Sequence, residues 1–338
     1  MSFRVLYADP LWAVRDGRVD PEQASIEREL YDERFRLDFG ISENGGYLRE
    51  GTRFVEHARG ANAMLISRVR ITPEIVAALE PTCRLVVRQG IGFDTLNPAL
   101  LREHGILGYT VPDYCIDEVS NHALAMILAL ERRLIQQNER VKTGRWATYG
   151  TGYPRRLSDL TLGIVGFGRI GTATARKAAP IYRRIIAYDP YVSADLMAAH
   201  GVERRETLAA LLSEADAVTI HAPLTDETRH LVNRVSIVHC KPGAILVNTA
   251  RGKIVEPRAV LERLQAGRLG GYGADVFDPE DPNDDPINRE ILRFDNVVVS
   301  SHCAFLSAEA ERSIRRRVAE LIIAVLTTGA APSFGRVA

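Results

Sequence analysis

The chain has 338 residues, 46% of them hydrophobic, with 43 Lys+Arg balanced by 43 Asp+Glu and only four cysteines. Such a length exceeds one doubly wound unit and points to two domains of about 100–200 residues, with enough apolar material for full cores. A formal net charge of zero removes any general electrostatic reason to expect nucleic acid or an anionic membrane as partner, and no apolar tract reaches the roughly 18 residues of a membrane span.

Cys83, Cys115, Cys240 and Cys303 have neither C-x-x-C nor metal-site spacing. They read as free thiols of a cytoplasmic protein, and the start of the chain has no signal-like pattern.

Residues 4–8 read as a first strand, stopped by Asp9-Pro10. A charged stretch follows in which 22–31 is expected as a helix, 34–39 as a strand and Asn44-Gly45-Gly46 as a turn. Residues 63–66 and 85–87 have the apolar character of buried strands, with a helix over 73–79 that carries Pro73 early. The second of these strands runs into Arg88-Gln89-Gly90-Ile91-Gly92-Phe93-Asp94. Two glycines around one apolar residue make a turn whose N–H groups can converge on an anion, although simple turn geometry accounts for the same residues.

Residues 108–112 close this first unit, and 115–134 follow as a long helix with Ala123, Ile127 and Leu130 on one stripe. Residues 138–146 continue it as a charged arm. Its apolar excess suggests a subunit contact, with burial between sheet layers as the alternative.

The stretch from Thr161 to Asp189 carries the strongest signal. A buried-strand run at 162–165 leads into Gly166, Gly168 and Gly171 in G-x-G-x-x-G spacing, then a helix ending by Pro180, then a strand closed by Asp189. A turn without β-carbons lets a pyrophosphate reach N–H groups at a helix N-terminus, while a strand-end carboxylate accepts from a ribose diol. The carboxylate would repel a 2′-phosphate, which favours NAD over NADP.

The βα rhythm then continues: a helix over 208–212, strands over 217–220 and 244–247, a helix over 257–265, and strands over 273–276 and 296–299. Polar groups follow the strands, where doubly wound sheets place their ligands. They are His221-Ala222-Pro223, Asn248-Thr249-Ala250-Arg251-Gly252, Asp275 to Glu280, and Ser300-Ser301-His302. A final helix over 308–326 is placed to return to the first unit, so the nucleotide domain would be an insertion crossed near 113 and 304. Its run Arg315-Arg316-Arg317 reads as a solvated or interface-facing surface rather than a phosphate patch, because Glu309, Glu311 and Glu320 lie beside it.

A hydride donor at the glycine turn needs a carbonyl partner and a proton for the developing alkoxide. His302 can supply that proton near neutrality, Glu280 can hold its imidazolium, and Arg251 can grip a carboxylate with two parallel donors. Structural readings stand beside these: a capped strand for His302, an acidic surface loop for Glu280, a pair with Glu256 for Arg251. His57, His104, His200, His230 and His239 lack a comparable partner, and His122 reads as a satisfied helix residue. No histidine pair has metal-site spacing, so no metal is expected.

Taken together, the glycine turn, Asn248 to Gly252, Asp275-Val276-Phe277 with Glu280, and His302 make the chain resemble the D-isomer-specific 2-hydroxyacid dehydrogenases over essentially its full length. Val111-Pro112-Asp113-Tyr114-Cys115, Glu118-Val119, His122-Ala123 and Ala304-Phe305 are most similar to the branch of the C-terminal-binding-protein corepressors and their bacterial relatives.

The resemblance implies an α/β protein of two doubly wound parallel-sheet domains. A Rossmann NAD-binding domain at 114–303, with a dimerisation helix and arm, would be inserted into a flavodoxin-like substrate domain at 1–113 that 304–338 rejoins. It implies His302 as general acid and base, Glu280 as its partner, and Arg251 with the backbone of Ile91 and Gly92 on the substrate carboxylate. NAD would be met by Gly166, Gly168, Arg169, Ile170, Gly171, Asp189, His221, Pro223, Thr228, Thr249, Ala250 and Asp275.

The implied reaction is reduction of a small 2-keto acid such as glyoxylate, hydroxypyruvate or pyruvate by a homodimer. An NAD(H)-responsive corepressor-like protein and a phosphoglycerate dehydrogenase are the alternatives, and the end of the chain at Ala338 without a long tail weighs towards a metabolic enzyme. Asp281 after Glu280, Thr95 after the 88–94 turn, and Ser300-Ser301 before His302 depart from the family pattern of Pro, Asn and Thr-Pro.

Overall fold

A computed structural model describes residues 2–338. The chain forms two compact units, residues 1–114 with 307–338, and residues 115–306.

The first unit is built on five parallel strands, β1 (Phe3–Tyr7), β2 (Phe35–Phe39), β3 (Ala63–Ile66), β4 (Leu85–Arg88) and β5 (Leu107–Tyr109), in the order β2-β1-β3-β4-β5. Successive side chains leave a strand on opposite faces: Val5 and Tyr7 join one core, Leu6 and Ala8 the other. Burial on both sides is why the inner strands β3 and β4 read as apolar runs, whereas the edge strand β2, Phe-Arg-Leu-Asp-Phe, alternates. The C-terminal helix, Ala308–Thr328, is capped by Ser307, whose side chain accepts from Ala310 N, and ends at Gly329 with φ 68°. Ile314, Val318, Ile322 and Val325 on its inner stripe close one face of the sheet.

Arg315 departs from expectation, for it is 8% exposed and neither solvated nor available to phosphate. Its guanidinium bonds both carboxylate oxygens of buried Glu27, at 2.9 and 2.5 Å, and lies 3.9 Å from the ring centroid of Trp12. The partner sits 288 residues away, so local charge counting could not find it. The expected helix at 22–31 starts later, as a short turn Pro21–Gln23 followed by Ser25–Leu30.

The second unit has seven parallel strands, β6 (Thr161–Val165), β7 (Arg184–Tyr188), β8 (Glu203–Arg204), β9 (Ala217–Ile220), β10 (Ala244–Asn248), β11 (Leu269–Ala274) and β12 (Val297–Val299). Their order is β8-β7-β6-β9-β10-β11-β12, so the winding reverses between β6 and β9, where such sheets open a crevice for ligands.

The helix expected over 115–134 runs Ile116–Glu131 and stops early, at Arg133 in a left-handed conformation with φ 53°, and a second helix, Leu134–Lys142, takes up part of the arm expected over 138–146. The first helix is pinned at its end by an ion pair between buried Glu131 and Arg155, at 2.6 Å. Strand β11 begins four residues before the expected 273, and the low strand propensity of Leu269-Gly270-Gly271-Tyr272-Gly273 hides that start from a sequence reading. Its glycines serve close approach, since a β-carbon on Gly271 would lie 2.9 Å from Leu130 Cδ2, on the helix packed against the sheet. Among the described residues, no helix is long and apolar enough to cross a membrane, and no group of three or more His, Cys, Asp or Glu could hold a metal.

Candidate active site

In the second unit the chemistry-bearing residues stand at the carboxyl ends of successive strands. Gly166 follows β6 with φ 88°, and a β-carbon there would meet Ala222 N at 2.6 Å. At Gly171 it would meet Gly166 O at 2.2 Å, whereas at Gly168 nothing lies within 4 Å. The outer glycines are therefore required by the fold, and the middle one leaves open the space over the first turn of the helix Arg169–Ala178. The leading N–H groups of a helix have no partner within it and attract an anion.

Asp189, at the end of β7, accepts from Phe167 N at 2.8 Å and Tyr191 N at 2.9 Å. Its carboxylate is thereby locked to the glycine turn with lone pairs left over for hydroxyl donors.

His221 follows β9, its Nε2 3.2 Å from Thr174 Oγ1 and 3.1 Å from Thr219 Oγ1. Burial holds its pKa down to about 3, so the ring stays neutral. Thr228 closes the loop beyond it, donating to Pro223 O at 2.6 Å and accepting from Thr225 N at 2.8 Å. Its one proton is spent inside the loop, so Thr228 fixes the position of Pro223. Thr249, after β10, is 8% exposed, and its buried hydroxyl has no protein partner. A buried unsatisfied hydroxyl at the same end of the sheet as the open glycine turn, two strands away, fits a polar ligand such as a dinucleotide.

Strands β10, β11 and β12 are neighbours, and Arg251, Glu280 and His302 leave from their ends. Fully buried Asn248 accepts from Ala250 N at 3.0 Å and donates to Arg251 O at 2.9 Å. These two bonds fold the turn that presents Arg251, whose Nη1 donates to Ala250 O at 2.7 Å. The alternative partner for Arg251, Glu256, accepts from Arg234 N at 3.1 Å.

Glu280 and His302 are joined through Nδ1, which leaves Nε2 as the nitrogen available to a substrate. The side chains are 26% exposed for His302 and 45% for Glu280, so the pair is within reach of solvent. The ring of Phe305 stands nearly perpendicular to the imidazole, 6.3 Å away between centroids.

His302 itself is left-handed, with φ 55°, a conformation that costs a non-glycine residue about 1–3 kcal/mol and persists only where its surroundings impose it. Asp275, 1% exposed, does the imposing. Its carbonyl accepts from His302 N at 2.8 Å, and its carboxylate from Cys303 N at 2.9 Å and Ala304 N at 3.0 Å. Sequence reading gave Asn248 no separate role and missed the clamp made by Asp275. A buried polar residue directly at each strand end was the signal available.

Within the first unit, Ile91 and Gly92 follow β4 and are half-buried. The turn is anchored by Gln89 N to Ile66 O, 2.7 Å, and by Val111 N to Gly90 O, 3.0 Å. The buried Ser67 Oγ, Gln89 Oε1 and Thr95 Oγ1 around it have no protein partner, so this edge of the sheet has unmet polar capacity. Nearby, buried Asp9 accepts from Ser67 N, Arg68 N, Val69 N and Arg49 Nε.

Comparison with known proteins agrees with this geometry. The profile of the D-isomer specific 2-hydroxyacid dehydrogenase NAD binding domain matches residues 124–304. Hydroxypyruvate reductase of Thermotoga maritima is 34% identical over 256 residues, 76% of this chain and 81% of its own length. Glyoxylate reductase of Korarchaeum cryptofilum is 33% identical over 286 residues, covering 80% and 84%. The crystal structure of D-lactate dehydrogenase from Aquifex aeolicus, complexed with NAD and lactic acid, superposes with a TM-score of 0.82 at 26% identity, over 96% of this chain and 95% of that one. The chain thus belongs to the D-isomer-specific 2-hydroxyacid dehydrogenase family, as an NAD-dependent oxidoreductase acting in the chemistry of 2-hydroxy and 2-keto acids.

Proposed function

We propose that this chain reduces a small 2-keto acid, with glyoxylate, hydroxypyruvate and pyruvate as the candidates, and that His302 is its general acid. The observation that carries this reading is the His302 Nδ1–Glu280 pair. It sets the ring orientation and leaves Nε2–H to protonate a developing alkoxide. NAD, in its reduced form, supplies the hydride when bound.

Arg251 grips the substrate carboxylate, a role suited to a planar guanidinium on a turn fixed by Asn248. Ile91 and Gly92, in the first unit, offer backbone N–H groups suited to a carboxylate. Gly166, Gly168, Arg169, Ile170 and Gly171 receive the pyrophosphate, and Asp189 the adenosine ribose. His221, Pro223, Thr249, Ala250 and Asp275 border the remainder of the cofactor, with Thr228 acting through its loop. Support for the substrate class comes from relatives named for hydroxypyruvate and glyoxylate and from the bound lactic acid of the Aquifex enzyme.

The working form is a homodimer. Trp146, Tyr149 and Tyr153, beyond the helix Leu134–Lys142, are 87%, 71% and 79% exposed, which suits a surface that a second copy covers.

A screen of 2-keto acids, 3-phosphohydroxypyruvate included, against NADH oxidation tests the assignment. His302→Ala should lower kcat by about 100-fold or more while NADH affinity changes little. Equal loss of both, or no loss of turnover, overturns it. A second reading rests on the corepressor-like residues Val111 to Cys115 and Ala304-Phe305: an NAD(H)-responsive interaction protein. Tight NADH binding without turnover of any 2-keto acid selects that reading.

A further inference from the structure

We propose that His122 is a positioning residue for proton transfer, acting through Ser300 and Asp275 on the backbone that presents His302. The inference rests on the reading of His302 as the proton donor.

His122 sits on the helix Ile116–Glu131, and its Nε2 lies 2.8 Å from Ser300 Oγ. Ser300 Oγ donates to Asp275 Oδ1 at 2.5 Å. A serine hydroxyl has one proton, and here the carboxylate receives it. The bond to His122 must then run the other way, with Nε2–H donating to Oγ. The sequence of donors is therefore His122 to Ser300 to Asp275, which fixes the imidazole as protonated on Nε2.

Beyond Asp275 the same residue receives His302 N, Cys303 N and Ala304 N. Three consecutive N–H groups of the left-handed turn end on one buried side chain and its carbonyl. Whatever holds the Asp275 carboxylate in its rotamer holds the turn, and Ser300 is the side-chain donor that does so. His122 in turn fixes the Ser300 hydroxyl. Without it, Ser300 can rotate away, and Oδ1 keeps only the Cys303 N–H.

Packing does not account for His122. Its side chain is 28% exposed, while Val119, Ala123, Met126, Ile127 and Leu130 supply the buried stripe of that helix. The nitrogen also lies 3.9 Å from Asp275 Oδ1.

The test uses the full-length protein with His122→Leu, His122→Gln, Ser300→Ala and the double variant His122→Leu/Ser300→Ala. Three quantities are read: kcat with NADH and the best 2-keto acid, NADH affinity by fluorescence, and amide hydrogen exchange at Cys303 and Ala304. His122→Leu should lower kcat about tenfold and leave NADH affinity within about threefold, with exchange at the two amides about tenfold faster. His122→Gln, whose amide reaches similarly, should recover most of both losses.

Ser300→Ala should match His122→Leu, and the double variant should be no worse than either single one, because both act through one route. The proposal is overturned if His122→Leu keeps kcat and exchange within about twofold of the parent, or if the two losses multiply. Should His122→Leu not fold, the smaller change Ser300→Ala decides, and unchanged exchange there overturns the proposal. A parent protein that turns over no 2-keto acid defeats the function given to His302, whereas the exchange measurement still decides whether His122 holds the turn.

Discussion

Replacing Gly252 with alanine should cost the chemistry far more than cofactor binding. An added β-carbon would lie 2.1 Å from the carbonyl carbon and oxygen of Phe277 and 2.7 Å from Asp278 N. Carbon contacts settle at about 3.5 Å, so the backbone on one side must retreat by more than about 1 Å. Neither side can yield harmlessly. Arg251 immediately precedes the glycine, and Phe277-Asp278 leads directly to Glu280.

Displacing a positioned group by 1 Å costs on the order of 100-fold in rate, which corresponds to about 2.7 kcal/mol of barrier. Steady-state kinetics on NADH and a 2-keto acid, with NADH affinity measured by fluorescence, check this. The expected result is a loss of about 100-fold in kcat/KM, with NADH affinity falling by no more than about tenfold, because the glycine turn that receives the pyrophosphate belongs to a different strand while Thr249 and Ala250 share the displaced one. A variant that retains kcat/KM within about threefold of the parent, or that loses only NADH binding, would refute the reasoning.

Arg315→Ala leaves the buried Glu27 carboxylate without its cation and should lower unfolding free energy by about 3–5 kcal/mol; a loss under about 1 kcal/mol in urea denaturation contradicts it. Asp189→Ala removes the acceptor of two backbone N–H groups and should weaken NADH binding about tenfold while narrowing its preference over NADPH, as competitive titration would reveal. His221 carries a pH signature, since its folded pKa is held at about 3 by burial against an ordinary 6.5. The unfolded chain takes up the proton first, so the stability this residue contributes is complete above about pH 6.5 and is lost as pH falls towards 3. In His221→Gln the urea midpoint should fall less between about pH 7.5 and pH 5 than in the parent, and equal slopes would count against a buried neutral imidazole.

The parts of the fold legible in the sequence were those whose cause is local. Gly166, Gly168, Gly171 and Asp189 lie within one βαβ stretch, so spacing alone carries their geometry. Ala63–Ile66 and Ala217–Ile220 are buried on both faces and declare themselves by apolar continuity. Where a distant partner decides, the residues were silent. Gly271 lies in a strand at a point where Leu130 leaves no room for a β-carbon, and strand propensity cannot register that. The burial of Arg315 depends on Glu27, and the contact of His122 with Ser300 spans 178 positions. For the site, His302, Glu280 and Arg251 could be named from their places after strands, but the clamp around them is assembled from backbone donors whose direction no side-chain pattern records.

One consequence concerns synthesis of the chain. The helix Ala308–Thr328 covers a face of the sheet whose strands lie within the first 109 residues, whereas the second unit draws on one unbroken stretch. During translation the middle of the protein can thus mature while the beginning waits, with Val5, Tyr7, Leu65 and Val87 uncovered until the helix Ala308–Thr328 has been made. Nascent molecules arrested just short of residue 307 should accordingly recruit chaperones more strongly than full-length ones, through an apolar surface that the final segment exists to hide.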